Sequence, residues 1–275
     1  MSSSDQNAVD FSFLNAYYIR ISPDGAANPS FEMPAADFMR AKAVSDAIVA
    51  GGSAVRPTGN ELAASFIGGS LFGLCAARLL FLARYNAVLD LSLHRLTFQI
   101  ENFGTYNLFG FKLDDDYDLS AVPDDANRGE FIQSVFENDF KRLIAPIIRS
   151  LSETAGMKPD LIWQQYGSML ANLMKSAAAK ETNGDALERL KHDCGVLLNR
   201  MDGSVFGSRK NPFVHTPRYI DNPYQPGSTM MIRSGCCMYY CREDGDMCYN
   251  CPKLAPAKRE ARRLEILAAS GGGGG

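Results

Sequence analysis

The sequence predicts an α-rich α+β fold, with a helical body, a β-hairpin or small antiparallel sheet, and an irregular C-terminal segment rich in cysteine. Apolar residues recur at helical spacing over most of the chain, and this period changes to alternation between residues 95 and 113. Glycine and proline interrupt residues 202–229. With 275 residues, 46% of them hydrophobic, the chain can bury a substantial core.

The first predicted helices lie at residues 35–49 and 61–89, and Gly51 and Pro57 separate them. The second helix is apolar nearly all round, as expected where a helix is covered on several sides. Its uncharged stretch, residues 62–77, contains serines and glycines and is shorter than the roughly 20 apolar residues that span a membrane. We therefore expect a buried core helix and no transmembrane segment.

The middle of the chain predicts a hairpin, a loop and three further helices. Residues 95–113 are rich in Phe, Leu, Ile and Thr and alternate over short spans around a break at residues 102–104, which indicates a β-hairpin. Asp114 begins an acidic loop that extends to Asp125, and we interpret it as a solvated connector because a Ca²⁺ loop would need a differently spaced ligand set. The helices are expected at residues 131–151, with a kink at Pro146, and at residues 161–179 and 185–199.

Three regions follow from this organisation. Residues 1–201 form the body, and residues 202–254 contain the irregular connector and the cysteine segment. Residues 255–275 contain a short basic helix and a glycine tail. The tail, from Ser270 on, is typical of a flexible linker.

Charge and motifs exclude several classes of function. The formal charge of -3 and the isoelectric point of 5.7 provide no basic field of the kind that nucleic-acid binding requires, so no nucleic-acid partner is expected. The start of the chain lacks the basic and apolar regions of a secretory signal, which favours a cytoplasmic protein. The sequence also lacks a phosphate loop, an H-E-x-x-H zinc motif and a dinucleotide-binding glycine motif.

Five of the seven cysteines lie within 16 consecutive positions: Cys236, Cys237, Cys241, Cys248 and Cys251. A chain of this size does not need disulfides for stability, and cytoplasmic thiols stay reduced. Thiolates gathered from one short segment are typical of a metal or iron-sulfur site. The spacing leaves two ligand sets open: Cys236, Cys237, Cys248 and Cys251 around a 2Fe-2S cluster, or Cys237, Cys241, Cys248 and Cys251 around a structural zinc ion.

The adjacent cysteines limit how these sulfurs can meet. Neighbouring side chains in an extended chain point to opposite sides, so Cys236 and Cys237 reach one ion only where the backbone turns sharply. Gly235 permits such a turn. Cys248 and Cys251 form a Cys-x-x-Cys turn, which presents two sulfurs to one metal.

The pattern Cys-Cys-x10-Cys-x2-Cys near the end of a chain of about this length resembles the FhuF-like ferric siderophore reductase family. The stretches Leu161-Ile162-Trp163, Asn211-Pro212 and Ile232-Arg233 also resemble the C-terminal half of that family, whereas the first 120 residues resemble it only in texture. The resemblance implies that Cys236, Cys237, Cys248 and Cys251 bind a 2Fe-2S cluster. It also implies that the protein reduces ferric iron in a siderophore, of the hydroxamate type, and releases Fe²⁺ in the cytoplasm. Cys241, inside the spacer, departs from the family pattern.

A 2Fe-2S cluster moves one electron at a time, and siderophore oxygens hold Fe³⁺ more tightly than Fe²⁺, so a one-electron reduction releases the iron. Because the chain lacks a flavin or nicotinamide motif, electrons are expected from a partner protein such as a ferredoxin. The basic helix is a candidate docking surface for an acidic donor, or a solvated face, through Lys258, Arg259, Arg262 and Arg263.

Five further residues are candidates for the cluster environment or the chelate site: Arg233, Tyr239, Tyr240, Trp163 and His215. The first three flank the cysteines, Trp163 is a candidate for a substrate surface or for the core, and His215 for passing a proton. Two other functions stay open at this point. One is a structural zinc-binding scaffold or binding protein, and the other is a 2Fe-2S electron carrier without a chelate substrate.

Overall fold

The computed structural model of the protein describes residues 9–123 and 127–271, and these form an α-rich α+β fold, as predicted. The helices are α1 (Ala41–Gly52), α2 (Glu61–Ser70), α3 (Phe72–Tyr85), α4 (Arg128–Asp139), α5 (Ala145–Ala155), α6 (Asp160–Trp163), α7 (Tyr166–Lys180), α8 (Gly184–Asn199) and α9 (Pro256–Gly271). The strands are β1 (Ile21–Ser22), β2 (Phe31–Pro34), β3 (Ala87–Leu89), β4 (Leu96–Asn102), β5 (Asn107–Leu113), β6 (Leu119–Ala121), β7 (Tyr219–Asp221) and β8 (Thr229–Met231).

The apolar helices α2 and α3 are mostly buried. The segment Glu61–Tyr85 is long and apolar enough to cross a membrane, but 83% of its most apolar window is buried within the protein, which is typical of a core helix. The helical segment ends at Tyr85 and not at residue 89 as expected. Asn86 takes a left-handed conformation with φ of 51°, which asparagine tolerates and which ends the helix. The next residues then form β3, paired with β6.

The predicted β-hairpin is confirmed as the antiparallel pair β4 and β5. β1 lies parallel to β5, and β2 lies antiparallel to β4, so the sheet order is β1-β5-β4-β2. Phe98, Ile100 and Phe111 are almost fully buried and belong to the main core. The hairpin therefore joins the helical body through its apolar face.

The helix expected over residues 131–151 contains a π-helical turn, Phe140–Ile144, between α4 and α5. Pro146 stands in the first turn of α5. Because proline has no amide hydrogen, the regular hydrogen-bond ladder is interrupted near this point, as the predicted kink requires. The turn carries Phe140 into contact with the rings of Trp163 and Phe206.

The C-terminal half differs from the predicted elements in two places. Two helices, α6 and α7, replace the single helix expected at residues 161–179, because the chain breaks at Gln164 and Gln165. The connector at residues 202–229, expected to have little regular structure, contains a short 3₁₀ helix and the paired strands β7 and β8. Its side chains Phe206 and Phe213 are buried in the main core.

Two expectations fall partly outside the described residues. Ser270 and Gly271 belong to α9, although we expected them in the glycine tail, and the rest of that tail, residues 272–275, lies outside the described part. Asp124 and Asp125 of the acidic loop lie outside it as well.

Candidate metal centre

The cysteine segment, residues 232–254, packs against α2 and the loop before it. The amide of Thr58 donates to the carbonyl oxygen of Cys241 at 3.2 Å. The hydroxyl of Ser65, on α2, donates to the carbonyl oxygen of Cys237, also at 3.2 Å. These bonds fix the segment at two points on either side of its first turn.

Gly235 allows the segment to approach the break between α6 and α7. A Cβ at this position would lie 2.7 Å from the carbonyl carbon of Gln164 and 2.8 Å from the amide nitrogen of Gln165. The backbone bends at Ser234 and Gly235, and Gly235 does so without a positive φ, whereas Met238 further on has a positive φ of 62°. Glycine is therefore required here for close packing and not for a left-handed backbone.

The two adjacent cysteines face different partners. The Sγ atoms of Cys236 and Cys251 are 3.6 Å apart. Cys237 instead accepts a hydrogen bond from the thiol of Cys248. We call Cys236 and Cys251 the buried pair, and Cys237 and Cys248 the open pair. The adjacent cysteines contribute one sulfur to each pair, and the Cys-x-x-Cys turn contributes the other. Cys236 and Cys237 therefore do not have to reach the same ion.

The distance within the buried pair is compatible with two cysteines that bind one metal atom. A tetrahedral ion with metal-sulfur bonds of about 2.3 Å separates two sulfur ligands by about 3.8 Å. The 3.6 Å separation in the buried pair is close to that value. Among residues 9–123 and 127–271, no group of three or more His, Cys, Asp or Glu side chains is placed to hold one metal ion. A zinc ion would need four such ligands, whereas each iron of a 2Fe-2S cluster takes two from the protein.

A small cavity of about 10 Å³ adjoins both pairs. Its walls contain all four paired cysteines together with Arg233, Tyr239, Tyr240 and Met247. Cys241 is not among the described residues that line this cavity, and its side chain lies beside Tyr240. The geometry therefore favours the ligand set without Cys241.

Burial dominates the electrostatics of the buried pair. Cys236 is 7% exposed and Cys251 is 3% exposed. Burial raises the pKa of Cys236 to about 11, although the amide of Met238 donates to its sulfur and lowers the pKa in part. Negative charge on Cys236 is therefore disfavoured unless a cation neutralises it.

The open pair has the opposite character. The hydrogen bond from the Cys248 thiol lowers the pKa of Cys237 to about 5, against the opposing effect of burial. The guanidinium of Arg233 adds to this effect, with its Nη1 2.6 Å from the Cys237 sulfur. The same hydrogen bond to Cys237 raises the pKa of Cys248. The two thiols thus hold one proton between them. It favours Cys248, and the negative charge favours Cys237 beside the arginine.

The structure brings Tyr239 and Tyr240 to the cavity as well as Arg233. The ring of Tyr239 lies between the ring of Phe66, at 6.1 Å, and the guanidinium of Arg242, 4.2 Å from its centroid. The ammonium of Lys253 lies 5.6 Å from the centroid of the Tyr240 ring. Both tyrosines are therefore fixed in place and cover the cavity.

Trp163 and His215 are not brought to the cavity. Trp163 is 2% exposed, contacts the rings of Tyr166 and Phe206 in the core, and lines the same groove as His215. His215 lies in a separate groove beside Ser234. Burial lowers the pKa of His215, with a further contribution from the positive charge of Arg218.

The basic helix α9 mainly makes contacts within the chain. Arg259 donates hydrogen bonds to three carbonyl oxygens of the Cys-x-x-Cys turn and its C-terminal flank, those of Tyr249, Cys251 and Leu254. Arg262 and Arg263 form ion pairs with acidic neighbours. These contacts indicate that α9 supports the cysteine segment, a role that its charge pattern alone did not reveal.

A larger cavity, which we call the polar groove, reaches the open pair and has about 1250 Å³ of empty space. α2, β5 and the α6–α7 region form its walls together with the cysteine segment. Its polar lining side chains include Ser65, Asn107, Gln165, Ser168 and Asn172. Sequence reasoning missed these residues because each is a single polar position, and the positions come from separate elements.

Comparison with known proteins adds no relative. A scan against protein-family models gives no match, and a search of curated proteins gives none either. The likeness to FhuF-like reductases therefore rests on the sequence features given above. The pairing of the cysteines is a separate argument, taken from the structure alone.

Proposed function

We propose that the cysteine segment holds a 2Fe-2S cluster through Cys236, Cys237, Cys248 and Cys251. We further propose that the protein transfers one electron to ferric iron in a siderophore chelate of the hydroxamate type and releases Fe²⁺ in the cytoplasm. The observation that carries the proposal is the arrangement of four sulfurs as two pairs around one cavity. The acceptor follows from the resemblance to ferric siderophore reductases.

The reaction is a one-electron reduction in which Fe³⁺ becomes Fe²⁺ and no bond within the chelating ligand breaks. The cluster, when bound, supplies a low-potential electron, since all-cysteine 2Fe-2S centres reach about -400 mV. Each tenfold preference of a chelate for Fe³⁺ lowers its iron potential by about 59 mV. An electron-donor protein such as a ferredoxin would restore the reduced state.

The surrounding residues would set how readily the bound cluster accepts an electron. The amide of Met238 donates to the Cys236 sulfur, and the amide of Tyr239 donates to the Cys237 sulfur. The guanidinium of Arg233 also donates to Cys237. Donors to the ligand sulfurs stabilise the more negative, reduced state and raise its potential.

Single-turnover oxidation tests this function. The protein, purified without oxygen and reduced with dithionite, is freed of reductant and mixed with tris(acetohydroxamato)iron(III) in the presence of a coloured ferrous chelator. We expect about one Fe²⁺ trapped for each reduced cluster, with the visible spectrum returning to the oxidised form. Cys241→Ala is the matched control and should behave as the wild type does.

A pure electron carrier would give a different result in the same experiment. Its cluster would be oxidised by a soluble protein acceptor, but ferric chelate would leave it reduced over the same time. That outcome would contradict the reductase function while leaving the cluster assignment intact.

A further inference from the structure

We propose that the polar groove is the acceptor site, where a ferric chelate of low net charge docks and receives its electron on the side of the open pair. This inference rests on the proposed function, because it locates that reaction within the molecule. It assigns different tasks to the two cysteine pairs.

The first argument is access to the sulfurs. Cys237 and Cys248 line the polar groove, whereas Cys236 and Cys251 are not among the described residues that line it. A chelate in the groove would therefore contact the open pair directly. Another cavity lies beside Arg20 and Glu101, and no cysteine is among the described residues of its wall.

The second argument is that hydrogen bonds fix the floor of the groove. Gln165 Nε2 donates to the Ser65 hydroxyl at 3.0 Å, and that hydroxyl donates to the carbonyl oxygen of Cys237. A second contact joins the cysteine segment to α7, where the Ser234 hydroxyl donates to the Ser168 hydroxyl at 3.0 Å. Ser65, Gln165 and Ser168 are nearly fully buried, so their side chains are held before any ligand arrives.

The third argument is charge. Arg233 is the one Lys, Arg, Asp or Glu among the described residues of the groove wall, and its guanidinium already contacts Cys237. The remaining polar wall consists of amides and hydroxyls, accompanied by the apolar side chains of Phe66, Phe109 and Met169. Such a wall can hydrogen-bond neutral oxygens, but it would leave the charges of a multiply anionic chelate without partners.

A neighbouring cavity provides the contrast. It also reaches Cys248, but its wall contains Arg242, Arg262, Asp244 and Asp246, and Arg262 pairs with Asp246 at 2.7 Å. We call it the charged groove. Tyr239 and Arg233 line both grooves and so separate them. A low-charge chelate would have to disturb the Arg262–Asp246 ion pair in the charged groove, whereas no Asp or Glu is among the described residues of the polar groove wall.

The test uses a chelate that cannot be reduced. Tris(acetohydroxamato)gallium(III), which is neutral, is titrated calorimetrically into the wild type and into Asn172→Trp, whose indole would fill the polar groove from an exposed position of α7. We expect Asn172→Trp to weaken binding by at least about tenfold. Two controls should stay within about twofold of the wild type. They are Ala178→Trp, at an exposed position of the same helix, and Met230→Trp, in the wall of the charged groove.

Charge selectivity is measured with a second probe, the trianionic tris(catecholato)gallium(III), which should bind the wild type at least about tenfold more weakly than the neutral complex. Unchanged binding in Asn172→Trp, weakened binding in Met230→Trp, preference for the trianion, or no binding to the wild type at millimolar concentration would each overturn the proposal.

The visible spectrum of every sample separates this inference from the proposed function. Gallium binding that depends on position 172 in a protein without a cluster would support the groove and refute the reductase. If the protein contains a cluster but the gallium complex binds equally well to the wild type and to Asn172→Trp, the result would support the reductase and refute the polar groove as the acceptor site.

Discussion

The buried pair and the open pair place the same chemical groups in opposite surroundings. Cys236 and Cys251 are nearly inaccessible, and Arg259 holds the carbonyl oxygen of Cys251. Cys237 and Cys248 line the polar groove, Cys248 also lines the charged groove, and the Cys237 sulfur accepts a hydrogen bond from Arg233. Burial raises the pKa of Cys236, whereas the Cys248 thiol and Arg233 lower that of Cys237.

The difference indicates a division of labour within one site. The buried pair anchors the segment in an apolar cluster that includes Val55 and Leu62. The open pair stands where a chelate or another protein can approach. Four predictions test this division, and they are described below from the largest expected effect to the smallest.

Removing one ligand from each pair gives the largest effect. Cys251→Ala and Cys237→Ala should both lose most of the bound iron, because each leaves one iron with a single protein ligand. The metal-free proteins should differ in stability. We expect Cys251→Ala to lower the free energy of unfolding by about 2 kcal/mol, since it empties buried volume, and Cys237→Ala by under about 1 kcal/mol.

Iron analysis and urea unfolding of the metal-free proteins measure these effects. Cys241→Ala should retain its iron. Equal losses of stability for Cys251→Ala and Cys237→Ala would contradict the claim that the two pairs differ in burial.

Gly235→Ala acts on both pairs at once, because the new Cβ would press the irregular segment that contains Cys236 and Cys237 away from Gln164 and Gln165. We expect the free energy of unfolding to fall by about 1–3 kcal/mol and the iron content to fall with it. The control is Gly195→Ala in α8, where an added Cβ meets no atom within 4 Å outside the helix's own backbone. That substitution should stabilise the protein by about 0.5–1 kcal/mol. Equal effects in urea unfolding would contradict the close-packing argument.

Arg233→Gln acts on the open pair alone. Loss of the positive donor at Cys237 disfavours the reduced, more negative state, so the midpoint potential should fall by about 60 mV, a tenfold change in the reduction equilibrium. Arg56→Gln is the control, because Arg56 pairs with Glu243 at 2.9 Å on the surface. Potentiometric titration followed by visible absorbance should show little shift for the control. An unchanged potential in Arg233→Gln would contradict the claim that Arg233 gives the open pair different electrostatics from the buried pair.

The smallest effect concerns the two cysteines outside the segment. Burial raises the pKa of Cys75 and of Cys194, so both thiols remain protonated at pH 8 and are shielded from reagents. Iodoacetamide applied to the native metal-free protein should modify Cys237 first and spare these two, as peptide mass spectrometry would show. Early labelling of Cys75 or Cys194 would place them outside the core.

The elements were largely predictable because they depend on local pattern. Alternation gave the β4–β5 hairpin, and helical periodicity gave α8 almost to the residue. The end of α3 was missed because it depends on the left-handed conformation of Asn86, which the apolar pattern does not report. The break before α7 was missed because Gln164 and Gln165 interrupt the helix without glycine or proline.

The residues of the candidate site could be identified from the sequence, but their geometry could not. Spacing identified the cysteines, and it left open whether Cys236 or Cys241 completes the set. In the structure the sulfur of Cys236 lies 3.6 Å from that of Cys251, whereas Cys241 is not among the described residues that line the cavity. The contact of Arg233 with Cys237, the support from Arg259 and the polar groove all depend on segments distant in sequence, and periodicity carries no information about such contacts.

Metal and sulfide analysis of the wild-type protein, purified without oxygen, tests the central claim most directly. The account predicts about two irons and two labile sulfides per chain, a visible spectrum that bleaches on reduction, and a rhombic electron paramagnetic resonance signal from one unpaired electron in the reduced state. A colourless protein with one zinc ion per chain and no labile sulfide would contradict it and favour the structural zinc scaffold.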